Sequence, residues 1–100
     1  MGVRSRSPAG DLYTQTVNTT AGGIPAANIP RAAMVAEGAC KGPGTVLFTR
    51  DGTAPTATIG FPAYTDDIIK LNSRAEIDGY SGYAGTTSTI DWEFFTDLSG

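Results

Sequence analysis

Residues 87–95 read Thr87-Ser88-Thr89-Ile90-Asp91-Trp92-Glu93-Phe94-Phe95, and this stretch decides the fold. Ile90, Trp92 and Phe94 alternate with Thr89, Asp91, Glu93 and Phe95, the period of two that marks a half-buried strand. The first three must face a core. Full burial of such side chains contributes roughly 1.5–3 kcal/mol each, a large share of the 5–15 kcal/mol, in order of magnitude, by which a domain is stable.

Working back along the chain, Thr45–Thr49 is β-branched and aromatic and reads as a central strand. Asp51-Gly52 follows as a tight-turn pair, Pro55 closes the loop, and Ala57–Ile59 is expected to continue extended. Ala32–Glu37 is a further strand, followed by a turn-rich connection from Gly38 to Gly44. Asp67–Leu71 and Ala75–Tyr83 complete about six strands. Ile69 with Leu71, Ala75 with Ile77, and Val46 with Phe48 are the positions expected to face the last strand. The pattern predicts an all-β fold, a small antiparallel β-sandwich of immunoglobulin-like build; a small barrel is the alternative.

Composition agrees. The 100 residues suit one domain, and 13 glycines and 6 prolines are poor material for helix interiors. Charged residues make up 17% and the net charge is −3, which argues against nucleic-acid binding, since phosphate recognition needs clustered Lys and Arg. Only Arg4 and Arg6 make the N-terminus basic. No stretch reaches a membrane span and Met1–Gly10 lacks the apolar run of a secretory signal, so a soluble chain made in the cytosol is expected.

Residues 1–30 read as an extended N-terminal arm preceding a sandwich domain over 31–100. Leu12, Tyr13, Val17, Ile24 and Ile29 are irregularly spaced and broken by Pro25 and Pro30. Two readings stay open: a loosely packed terminus, or a segment that orders on a neighbouring subunit with each apolar side chain in one pocket.

Histidine is absent, removing the commonest general base and metal ligand. Cys40 is alone, without a disulfide partner in the chain, and reads as a packed small hydrophobe. Glu76 with Asp78, and Asp91 with Glu93, stand at the spacing that puts both acids on one strand face. Such a patch suits Ca²⁺ or a glycosidase pair, but alternation with core candidates favours a solvated outer face. No enzyme activity, metal or cofactor is expected. Tyr80 and Tyr83, flanked by small residues, suit a protein- or sugar-binding surface.

The segment Leu47-Phe48-Thr49-Arg50-Asp51-Gly52-Thr53-Ala54-Pro55-Thr56-Ala57-Thr58, with Asp67–Leu71, Ala75–Tyr80 and Ile90–Phe95, resembles small β-sandwich virion proteins of tailed bacteriophages. What the resemblance implies is a capsid decoration, or cement, protein on the outside of the shell, made in the host cytoplasm and partnered with the major capsid protein. A homo-oligomer is expected with it, a trimer at local threefold positions being one form. Leu12, Tyr13, Val17, Ile24, Ile29, Tyr80 and Tyr83 are the expected interface. The alternative is a carbohydrate- or receptor-binding module of a phage tail or secreted enzyme.

Overall fold

The computed structural model describes residues 10–96. Arg4 and Arg6, and the outer ends of the predicted arm and domain, lie outside the described residues. Seven strands and one short α-helix follow in order: β1 (Tyr13–Val17), β2 (Val35–Gly42), β3 (Val46–Thr49), β4 (Phe61–Ala63), β5 (Ile68–Leu71), α1 (Arg74–Gly79), β6 (Ser81–Ala84) and β7 (Ser88–Phe95). They form two antiparallel sheets packed together, a four-stranded one in the order β1-β7-β2-β5 and a three-stranded one in the order β4-β3-β6. The predicted all-β sandwich is therefore present. Its four-plus-three division is that of a constant-type immunoglobulin domain, with a strand order of its own, because β7 lies between β1 and β2. No helix among the described residues is long and apolar enough to cross a membrane.

As the alternation in its sequence requires, β7 buries Ile90, Trp92 and Phe94. They join Val46, Ala63 and Ala84 from the opposite sheet in one hydrophobic core. Gly38 lies opposite Trp92 in the β2–β7 register. A Cβ at position 38 would stand 2.7 Å from the indole Cζ3 and 2.8 Å from Ile90 Cγ2. The glycine is thus no strand end but the gap that receives the indole.

That gap accounts for the first correction: β2 begins at Val35 and runs through the expected turn to Gly42, absorbing one extra residue as a bulge between Cys40 and Gly42. The second concerns residues 75–83. Arg74–Gly79 is helical because Ser73 caps it: Ser73 Oγ accepts from Glu76 N at 3.2 Å, while Glu76 Oε1 accepts from Asn72 N at 2.8 Å. Ile77 is buried and Ala75 exposed. Residues 57–59 form no strand; Thr56 Oγ1 accepts from Thr58 N and Ile59 N and folds them into a turn before β4.

The largest correction is the arm. Residues 13–17 are an edge strand of the four-stranded sheet, pairing with β7 from Tyr13↔Trp92 to Val17↔Ser88. Val17, Ile24 and Ile29 belong to the core. Gly22 exchanges both backbone hydrogen bonds with Gly82, and Asn18 O accepts from Ala84 N, so residues 18–22 line the outer edge of β6. A boundary at residue 30 does not exist in this fold. The segment is anchored by Gln15, whose Oε1 accepts from Tyr80 Oη at 2.8 Å and from Trp92 Nε1 at 3.0 Å, and whose Nε2 donates to Gly22 O at 3.0 Å.

Candidate binding cleft

The loop between β3 and β4, residues 50–60, builds an open cleft at one end of the sandwich. Its form is dictated locally. Asp51 Oδ1 accepts from Thr53 N at 3.0 Å, and Thr49 Oγ1 donates to Thr53 O. Gly52, at φ +88°, donates its N–H to Gly79 O at 3.0 Å, tying the loop to the end of α1. Gly60, at φ +135°, lies where a Cβ would meet Leu47 Cβ and Phe48 N at 3.1 Å, so only glycine turns the chain back onto β3 here.

The cleft, about 560 Å³, is lined by Thr49, Arg50, Thr53, Ile59 and Phe61, with Asp51 and Glu76 among its walls. Ile59 is 49% and Phe61 60% exposed. Phe61 packs on Phe48, ring centroids 6.1 Å apart and tilted by 50°. The Arg50 guanidinium carbon lies 5.9 Å from each ring centroid, within cation–π range. Arg50 Nη1 also donates to Lys70 O at 3.4 Å. The Thr53 backbone N–H, followed by the Thr53 hydroxyl, holds the Asp51 carboxyl below its ordinary range. An apolar floor with both charge signs at its rim is the make-up of a protein-docking patch, and aromatic and Arg side chains are those that dominate binding energy.

The interface residues expected from sequence are dispersed. Val17, Ile24, Ile29 and Tyr80 are buried within the chain, and a side chain filling its own core cannot fill a partner's pocket. Leu12, 68% exposed, and the half-buried Tyr13 line a small cleft with Asp11, Ala27, Asn28 and Pro30. Tyr83, half-buried, lies opposite Leu47 on the outer face of the three-stranded sheet. None of them lines the larger cleft.

The two acid pairs do not meet on a common strand face. Glu76 and Asp78 are on α1, where Asp78 Oδ1 pairs with Arg74 Nε at 3.3 Å, while Asp91 and Glu93 are on the outer side of β7, Asp91 accepting from Thr14 Oγ1 at 2.8 Å. Among the described residues no three His, Cys, Asp or Glu side chains group as metal ligands. Cys40 is buried and its thiol is pushed up to about 11, first by burial and then by the charge of Asp67. In that state it is a packed thiol and not a thiolate.

Sequence reasoning missed Arg50, Ile59 and Phe61, and took Glu76 only as one of a pair of acids on a strand face. The signal was an apolar pair, Ile59 and Phe61, in a loop rich in Gly, Pro and Thr, since loops on a rigid scaffold commonly carry function. Searches against protein-family models, curated proteins and solved structures give no significant match for the chain.

Proposed function

We propose that this protein is a non-catalytic adhesion module, a capsid decoration protein of a tailed bacteriophage that binds the outside of the major capsid protein shell and stabilises it. The observation that carries the adhesive part is the cleft: Phe61 and Ile59 stand exposed beside an Arg50 guanidinium already positioned over two rings. The virion setting rests on the resemblance of residues 47–58, 67–71, 75–80 and 90–95 to small virion sandwiches. Binding the assembled shell and not its free subunits stabilises the shell by mass action, and many copies on one particle multiply weak single contacts. Val17, Ile24 and Ile29 of the arm are core and do not serve as anchors in this mechanism.

The test is to add the purified chain to undecorated shells of the phage that encodes it and to measure occupancy by electron cryomicroscopy and shell resistance to heat. Saturable decoration that Phe61→Ser weakens at least tenfold supports the reading. Absence of attachment ends it. A second reading is a carbohydrate-binding module, favoured by the exposed Phe61 ring beside the Asp51 and Glu76 carboxylates. Saturable glycan binding lost in Phe61→Ser, with no shell attachment, would put that reading in place of the first.

A further inference from the structure

A two-sheet sandwich has four outer strands, here β1, β5, β4 and β6. Outer strands offer unpaired backbone groups to other chains, and proteins blunt them with charge, proline or covering segments. Three of the four are blunted. β4 carries Pro62, which has no N–H to offer. β5 carries Lys70, whose carbonyl is taken by Arg50 Nη1. β6 is covered by Asn18 and Gly22 through backbone hydrogen bonds of 2.9–3.1 Å. β1, Tyr13-Thr14-Gln15-Thr16-Val17, has β7 on one side and no described strand on the other. It has no charge, no proline and no bulge, and four of its five residues are strong strand formers.

We propose that two copies of this protein dimerise by antiparallel pairing of their β1 edges, continuing the two four-stranded sheets into one. The reason for a second copy as occupant is that this strand is complementary to itself. In an antiparallel pair centred on Gln15, Thr14 lies opposite Thr16 of the second copy, and the side chains of both are exposed. Thr–Thr neighbours of this kind, formed twice by the symmetry, are stabilising cross-strand pairs. Each chain carries −3, and β1, which has no charged side chain, brings no like charges face to face. The resulting contact is isologous and closes at two copies, so it yields a dimer and not a ring or filament. The inference is independent of the capsid reading.

Sedimentation of the full chain over a wide concentration range tests it. The expected result is reversible dimerisation at twice 10.3 kDa. Thr14→Lys with Thr16→Lys places lysines opposite lysines and should leave a folded monomer. In a second variant, Thr14→Cys with Thr16→Cys, the directly opposite positions are within disulfide reach, and mild oxidation should give a covalent dimer. A wild-type chain that is monomeric throughout or trimeric overturns the proposal. So does a dimer that tolerates the lysines or fails to cross-link through the cysteines.

Discussion

The Tyr80 hydroxyl donates to the Gln15 side-chain carbonyl across 2.8 Å, joining residues 65 positions apart in the chain. The same oxygen accepts from Trp92 Nε1, and the Tyr80 and Trp92 rings meet edge to face at 4.8 Å. One buried amide thus serves two donors, Trp92 on β7 and Tyr80 at the end of α1. Gln15→Leu leaves both donors without a partner, at about 1–3 kcal/mol each. Tyr80→Phe leaves Gln15 bonded to Trp92 and is expected to cost about 1 kcal/mol. Urea unfolding of the two variants should show the Gln15 change to be clearly the more damaging; equal losses would mean that the amide is not the hub.

Gly38→Ala forces a methyl within 2.8 Å of Trp92 and Ile90. Overpacking of this kind typically costs 1–3 kcal/mol, so about that loss is expected, together with a changed near-ultraviolet signal from the indole. Trp92→Ala, which removes the ring itself, should cost about 3–5 kcal/mol and leave the chain largely unfolded.

Alkaline pH should unfold the protein earlier than its composition suggests. Burial pushes the Cys40 thiol from 9.0 to about 11, and burial raises the Tyr80 hydroxyl as well, with Cys40 adding to the rise and the Gln15 hydrogen bond opposing it. Both groups keep protons in the folded state that the unfolded chain has already released. The stability they contribute is complete below about pH 9 and is lost as pH rises through about 11. Melting temperature measured from pH 8 to 11 should fall, and Cys40→Ala should flatten the lower part of that fall.

Deleting residues 2–29 removes β1, the cover over β6 and three core side chains. The expected product is an aggregating or unfolded chain, read by circular dichroism and light scattering. A soluble, cooperatively melting fragment would show that β1 is dispensable to the sandwich.

The sequence is legible wherever burial alternates with a period of two. Ile90, Trp92 and Phe94 announce β7, and Ile69 with Leu71 announces β5. β1 escapes because its central inward residue is Gln15, whose polarity reads as exposure until Tyr80 and Trp92 are seen to satisfy it. α1 escapes because six residues are too few to display a helical period; the Ser73-x-x-Glu76 capping pattern alone marks it. The cleft is the least legible. It arises where residues 50–60 fold back beside α1 through the Gly52–Gly79 hydrogen bond, a pairing of distant segments that no local pattern encodes.

Thr14 and Asp91, neighbours across the β1–β7 ladder, are separated by 77 positions. A growing polypeptide emerging from the ribosome therefore holds its early strand without a mate until nearly the whole of this region has been made. Such distant closure favours slow, late folding, leaving the nascent segment from Tyr13 to Val17 exposed to chaperones or to aggregation in the interval.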